Sequence, residues 1–266
     1  MRDWTKELGT SSIDLVMVNY KTYDLMDNFI KSYEKFTPQS NPRLIIIDNE
    51  TNSEKLYKVD TSSATVFPFK ENLGYAKACN FGASLSDSDY IAFLNSDTEF
   101  INDDCVDKCV EYMDNNPDVA VVGPMQYASD GKITHGGILG SNEKPQHRGW
   151  GAKNKQDYRD IQEAITVSGS AYFTRRKVWE EMMQCSIYKE MFPDSVGAWP
   201  PFKHFFEETL YSYHVTAHDY KCVYLGTAEM IHEWHKSSPI GSQDDNFKNG
   251  QKSFREFCER HGIACD

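Results

Sequence analysis

The sequence predicts an α/β fold with a mostly parallel central sheet flanked by helices and a smaller region following it. Three observations predict it. Short β-branched apolar runs recur through the first half, helical patterns separate them, and the runs end in side chains able to bind a ligand. Runs this short and apolar suit strands covered on both faces, and strand–helix alternation implies parallel pairing through crossovers.

The elements follow in order. Residues 13–20 (IDLVMVNY) form the first run and lead into a helical pattern over 23–36. Next come 43–50 (RLIIIDNE), 64–69 (ATVFPF), a helix over 74–85, 90–97 (YIAFLNSD), a helix over 103–115, and 119–127 (VAVVGPMQY). Three of the runs finish in Asn19-Tyr20, Asp48-Asn49 and Asn95-Ser96-Asp97. Ligands in open α/β sheets sit beyond the carboxyl ends of strands, so residues 1–124 are expected to be a nucleotide-type binding half. Residues 130–160 are rich in Gly, Asn, Lys and Gln and are expected to form a long lid or binding loop. Order returns with 163–182 (EAITVSGSAYFTRRKVWEEM), a strand leading into a helix whose Arg175-Arg176-Lys177 start reads as solvated. An aromatic-rich segment over 192–206, the acids Glu207-Glu208, a helical stretch over 209–218 and a final helix over 247–261 complete the chain.

The 266 residues suffice for a sizeable core. A net charge of -12 argues against a general nucleic-acid coat or a polybasic membrane patch. The start, Met1-Arg2-Asp3-Trp4, lacks the basic and apolar character of a signal peptide, and no run approaches the ~20 apolar residues that span a bilayer, so stable membrane insertion is not expected. Cysteines at 79, 105, 109, 185, 222, 258 and 265 include no CxxC pair and read as free thiols in a reducing, cytoplasmic compartment. Cys105 and Cys109 fall on one face of a helix.

Several phosphate-binding and hydrolytic signatures are missing. Without GxGxxG after the first strand, GxxxxGK[ST] or GxSxG, the chain is not a nicotinamide Rossmann protein, a P-loop protein or an elbow hydrolase. What is present is ENLGYAKACNFGA over 71–83, which sets Asn72, Gly74, Asn80 and Gly82 around a helix start. Glycine permits close backbone approach and a helix N-terminus favours an anion, although a loop with a helix cap accounts for the same letters. Asp48 can equally cap a turn with Asn49. Glu207-Glu208 can simply complement a helix dipole, His232 can be an ordinary core residue, and Trp150 and Trp199 can pack or form platforms for a sugar.

The ordered set LVMVNYKTYD, LIIIDNETNS, ENLGYAKACNFG, FLNSDTEF, VAVVGPMQYASDGKITHGG, HRGWG, VSGSAYFTRRKVWEEM and FFEETLYSYHVTAHDYKCVYLGTAEMIHEWH resembles GT-A glycosyltransferases of family 2. The similarity runs over residues 13–235 and is nearest to the rhamnosyltransferase-like members. It implies one continuous GT-A domain, with a donor half over 1–124 and an acceptor-binding, catalytic half over 125–266. It implies transfer from a nucleoside diphosphate sugar, UDP-linked first and dTDP-rhamnose second, to an acceptor hydroxyl on a glycan, lipid-linked sugar, protein, small metabolite or modified base. The transfer would be inverting and would use Mn²⁺ or Mg²⁺.

The resemblance also implies residue roles. Asn19 and Tyr20 would line the donor's base, Asp48 would bond its pyrimidine ring, and Asn72, Gly74 and Asn80 would border the ribose and sugar. Asn95-Ser96-Asp97 stands at the family's DxD motif, with Asp97 the metal ligand, Asn95 accessory and Glu99 a bystander. Losing one acid should weaken metal binding, so the donor's phosphates would be needed to complete it. His232 would complete the metal shell or meet the diphosphate, with His235 behind it. Arg148 and His135, in the expected lid, would meet the diphosphate or the sugar once it closes. Glu208 would be the catalytic base, with Glu207 its competitor; the family more often has Asp there, and Leu210 replaces an acid. Two other readings stay open: a sugar-nucleotide-binding pseudoenzyme, and a GT-A nucleotidyltransferase, which would need a basic Gly-rich loop that VNYKTYDLMD does not supply.

Overall fold

The computed structural model describes residues 12–36, 38–141, 144–202, 206–233 and 245–262; Phe205, His235 and Cys265 lie outside them. In chain order the elements are β1 (Ile13–Asn19), α1 (Tyr23–Lys35), β2 (Arg43–Asp48), α2 (Ser53–Leu56), β3 (Thr65–Pro68), α3 (Tyr75–Ser84), β4 (Tyr90–Asn95), β5 (Thr98–Phe100), α4 (Cys105–Asn115) and β6 (Val119–Tyr127). There follow β7 (Ile133–His135), β8 (Ile138–Ser141), β9 (Lys144–His147), β10 (Ile161–Ala164), β11 (Ala171–Arg175), α5 (Arg176–Gln184), α6 (Ser186–Met191), α7 (Glu207–Thr216), β12 (Lys221–His232) and α8 (Asp245–His261).

Ten strands make one sheet in the order β10-β12-β6-β11-β4-β1-β2-β3, with β5 added to β12 and β7 to β6. β1, β2, β3, β4, β6 and β12 point one way, and β5, β7, β10 and β11 run against them. The predicted mostly parallel α/β architecture is therefore observed. Alternation along β1 shows why it is buried on both faces. Leu15 and Met17 pack with Met26, Phe29 and Ile30 of α1 and with Cys109 and Met113 of α4. Val16 and Val18 face the other way, toward Cys79 of α3, Trp179 of α5 and Tyr211 of α7. Gly82 belongs to this packing: a Cβ there would lie 2.3 Å from Val16 Cγ1, so only glycine lets α3 lie so close to β1.

Several expectations are corrected. β3 is an edge strand and is only half-covered, which is why Pro68, lacking an N–H, is tolerated there. The supposed loop over 130–160 contains β7, the β8–β9 hairpin and a 3₁₀ turn over Lys155–Tyr158. Arg175 is not solvated: its guanidinium bonds the carbonyls of Val119 and Asn116, at 2.7 and 3.0 Å, and also that of Met113. Arg176 likewise donates to the carbonyl of Ser88 at 2.6 Å. Among the cysteines, 79, 105, 109, 185 and 222 are free as expected, but Cys258 is disulfide-bonded. No described helix is long and apolar enough to cross a membrane.

Candidate active site

Parallel register sets the strand ends side by side, pairing Asn19 with Asp48 and Val18 with Asn95. Asn19 Nδ2 donates to Asp48 Oδ1 at 2.7 Å, and the Tyr23 hydroxyl donates to Asp48 Oδ2 at 3.1 Å. Asn19 Oδ1 accepts from the backbone N–H and hydroxyl of Thr22 at 3.2 and 2.8 Å, and that hydroxyl meets Ser96 Oγ at 2.8 Å. Asn19 and Asp48 are fully buried. Both are thus tied into the protein rather than presented to a base, and their hydrogen bonds link β1, β2, α1 and the Ser96 turn. The exposed groups beside them are Tyr20, 39% exposed, and the ion pair of Lys21 and Glu50 at 2.5 Å.

The loop before α3 is held from β2. Asn49 Nδ2 donates to Asn72 Oδ1 at 2.9 Å, while Asn49 Oδ1 accepts from Leu73 N at 2.7 Å. Gly74 N also donates to Asn72 Oδ1, at 2.8 Å, and Gly74 enters the helix at φ 85°, open to glycine at no cost. Asn72 is exposed and Gly74 lies at the helix start. Asn80 departs from expectation. It is buried, and its amide takes both main-chain groups of Trp199, donating to the carbonyl at 2.8 Å and accepting from the N–H at 3.2 Å. Trp199 is itself fully buried among Tyr75, Phe93, Tyr172 and Trp179, so it packs and offers no platform for a sugar. Trp150 is 44% exposed.

Asp97 lies in the turn between β4 and β5. β5 is only three residues long, yet it pairs antiparallel with the end of β12 and sets Thr98 opposite His232. That pairing brings His232 Nε2 to 3.5 Å from Asp97 Oδ1, with both side chains buried, and Glu233 N donates to the Asp97 carbonyl at 2.9 Å. A carboxylate oxygen and an imidazole nitrogen side by side are a donor set that suits Mn²⁺, and the residues fit such an ion. Asn95 is half-buried; its N–H donates to the Ser170 carbonyl at 2.9 Å. Glu99 faces a separate cleft shared with Lys31 and Lys35. His135 is buried behind this corner and accepts from Ser168 N at 3.3 Å. Burial, with His147 and His232 adding to it, pushes its pKa down to about 3, which keeps the ring neutral.

Glu207 and Glu208 open α7 behind Phe206, which adopts the left-handed conformation at φ 67°. Glu207 is 2% exposed and Glu208 is half-buried. Burial pushes both carboxyls above their ordinary range, Glu207 the further because the Glu208 charge adds to it. The Glu208 stem rests on Gly169: a Cβ at that position would lie 3.3 Å from Glu208 Cγ. The Gly169 carbonyl accepts from the Tyr75 hydroxyl at 2.9 Å, and the next residue, Ser170, holds Asn95. The segment over 167–170 therefore joins the acid pair to the Asp97 corner. Arg148 follows the β8–β9 hairpin. Its guanidinium is bidentate on Asp160 at 2.7 and 3.0 Å, donates to the Asp157 carbonyl at 3.1 Å and lies over the Tyr158 ring. It thus braces the hairpin region against the segment before β10.

The glycosyl transferase family 2 model matches residues 14–182, which include β1, the Asn72 loop, the Asp97 turn and the segment over 167–170. The chain belongs to glycosyl transferase family 2. Solved structures with the same fold include GalNAc-T7 crystallised with UDP, GalNAc and Mn²⁺, at 13% identity and TM-score 0.63. S. aureus TarS 1-349 (12%, 0.62) and the mannosyltransferase PcManGT from Pyrobaculum calidifontis in complex with GDP-Man and Mn²⁺ (10%, 0.61) also share it. The alignments cover 96, 92 and 95% of this chain, but only 56, 65 and 65% of those structures. No curated protein matches the sequence significantly.

In this family 2 chain Asp97 and His232 meet where β5 pairs with β12, Asn72 and Gly74 are held from the end of β2 through Asn49, and Glu208 packs on Gly169. Asn19, Asp48, Asn80 and Glu207 are buried. Thr22, Tyr75, Gln126 and Ser170 were not anticipated; the Ser170 hydroxyl donates to Gln126 Oε1 at 2.6 Å. The Gly169 in VSGS, between two apolar stretches, was the one local signal of a close approach.

Proposed function

We propose that the chain transfers a sugar from a nucleoside diphosphate sugar to an acceptor hydroxyl with inversion. The observation that carries this reading is the pairing of β5 with β12, which unites Asp97 and His232 across 135 residues of sequence at the strand-end edge. Support comes from the family and from the UDP, GDP-Man and Mn²⁺ bound in structures of the same fold. A UDP-sugar is the first choice of donor and dTDP-rhamnose the second, a choice that follows the rhamnosyltransferase-like resemblance. Residues 1–124 would carry the donor and 125–266 the acceptor.

Asp97 and His232 would hold Mn²⁺ or Mg²⁺, with Asn95 accessory. When bound there, a divalent cation supplies positive charge that stabilises a departing diphosphate. Tyr20 would line the base, and Asn72 and Gly74 would border the ribose, while Asn19, Asp48 and Asn80 act as positioning residues. Glu208 is the base we favour over Glu207, because it is the less buried of the two and packs on Gly169. Its carboxylate takes the acceptor's proton as that oxygen bonds the anomeric carbon. The bond from that carbon to the phosphate oxygen breaks on the opposite face, and its electron pair leaves with the nucleoside diphosphate.

The test is to incubate the protein with UDP-sugars and dTDP-rhamnose, with Mn²⁺, and follow release of the nucleoside diphosphate. Release that disappears in Glu208→Gln while UDP binding is kept supports the reading. UDP binding with no turnover in the wild type would favour the pseudoenzyme instead. Pyrophosphate-dependent exchange would favour a nucleotidyltransferase.

A further inference from the structure

The acid pair begins α7, and the opposite end of the same helix carries chemistry that glycosyl transfer does not use. Cys185 sits at the junction of α5 and α6, His214 lies in the last turns of α7, and His218 follows one turn later. One potential ligand atom from each of the three lies within 4.8 Å of the others. We propose that Cys185, His214 and His218 form a zinc-binding site.

The donor set is the first argument. One thiol and two imidazoles are the soft and borderline ligands that zinc prefers, and three protein ligands leave a fourth, tetrahedral position for water. Magnesium and manganese favour oxygen, so this site and the Asp97–His232 corner would sort different ions. Tetrahedral zinc needs its ligand atoms roughly 3.5 Å apart, from bonds of about 2.1 Å to nitrogen and 2.3 Å to sulfur. Small side-chain movements from the present spacing reach that geometry.

The second argument is the tautomer. His218 Nδ1 lies 2.9 Å from the His214 carbonyl. That carbonyl is near the helix end, where the His218 backbone N–H bonds Val215 instead. As a donor to it, His218 carries its proton on Nδ1 and keeps the Nε2 lone pair for a metal, the orientation that outer carbonyls impose on ligating histidines. Capping of the helix end by His218 alone would account for this contact, but not for the convergence of Cys185 and His214 on the same point.

The surroundings are the third. His214 is fully buried; the Tyr188 ring stacks on it at 5.8 Å and 18°, and the Phe257 ring makes an edge-type contact with it at 5.2 Å and 64°. Apolar rings around a partly buried ligand set limit solvent access. Cys185 is half-buried and His218 exposed, which leaves a route of entry. On binding, the Cys185 Sγ–H bond breaks, the sulfur pair is shared with Zn²⁺ and the proton leaves to solvent, so affinity falls as pH falls. The ion would fasten the α5–α6 junction to the end of α7, two turns and roughly 10 Å along that helix from Glu207.

The experiment loads the full chain with Zn²⁺ in the presence of excess Mn²⁺, removes free ions by gel filtration and measures bound zinc. Cobalt substitution is read in parallel for a thiolate-to-metal charge-transfer band. The wild type should retain about one Zn²⁺ per chain and show the band. Cys185→Ser should lose the band, His218→Ala should bind Zn²⁺ at least about 100-fold more weakly, and Asp97→Asn should retain both. Circular dichroism checks that each variant is folded; if Cys185→Ser is not, His218→Ala decides. No retained zinc in the wild type, or a cobalt band and zinc content unchanged in Cys185→Ser or in His218→Ala, would overturn the proposal. None of these readouts depends on sugar transfer.

Discussion

Two adjacent carboxyls, both raised in pKa by burial, differ in exposure and would have different tasks. Glu208 is half-buried against Gly169 and Glu207 is sealed beneath it. Glu208→Gln should lower turnover by roughly 10²–10⁴-fold, the usual contribution of a general base, with UDP binding unchanged by calorimetry. Because burial raises the carboxyl, protons are held to higher pH, and the acid limb of kcat/KM should lie above the ordinary glutamate range. A limb at or below about 4.3 would remove Glu208 from the role. Glu207 gives a stability prediction of opposite appearance. Its folded pKa is raised, so the native state binds more protons than the unfolded state between the two values. Stability therefore falls as pH rises through that window and stays reduced above it. Glu207→Gln should stabilise the protein at pH 8 by about 1.4 kcal/mol for every tenfold by which folding weakens the acid, and that gain should vanish at pH 4. Urea titrations of both proteins at the two pH values check the sign.

The elements divide by how their information is stored. β1, β2, β4 and β6 were legible because an apolar run covered on both faces announces itself in composition. α3 was legible to within a residue at each end from its glycine and its apolar spacing. β5 was not: three residues carry no period, and its existence depends on β12 lying alongside. The same reason hid the β8–β9 hairpin, whose polar letters resemble a loop until Arg148 bridges to Asp160. Asn80 and Trp199 carried plausible binding chemistry in sequence, yet their pairing is a contact across 119 residues that no local pattern encodes. That pairing also requires Gly197, where an added Cβ would lie 2.4 Å from Asn80 Oδ1. Gly197→Ala should destabilise the protein by about 1–3 kcal/mol, the cost of overpacking, read as a lower urea midpoint at unchanged slope. A midpoint equal to wild type would mean the Asn80–Trp199 clasp is not rigid.

At the scale of the whole molecule, a donor and a metal bound as proposed would be coupled through one sheet edge. The Asp97 corner pairs a carboxylate with the His232 imidazole, while Asn95, which the family resemblance aligns with the other DxD acid, carries no charge. A divalent ion in that corner meets less negative charge than two carboxylates would supply, so Mn²⁺ alone should bind weakly. A nucleoside diphosphate brings the missing oxygens, and each ligand then raises the affinity for the other by the same factor. Ligands that bind only the native state stabilise it by RT ln(1 + [L]/Kd), about 2.7 kcal/mol at a hundredfold excess over Kd. For a chain of this size that corresponds to a Tm rise on the order of 5–10 °C. Mn²⁺ alone and UDP alone should each move Tm little, and the pair should move it by more than the sum. His232→Ala should reduce the joint shift, because it would remove the imidazole that β12 sets beside Asp97. Asn95→Asp should increase the shift with Mn²⁺ alone, because it restores the second charge. A full shift with Mn²⁺ and no nucleotide, abolished by Asp97→Asn, would show instead that the corner is a complete metal site without the donor.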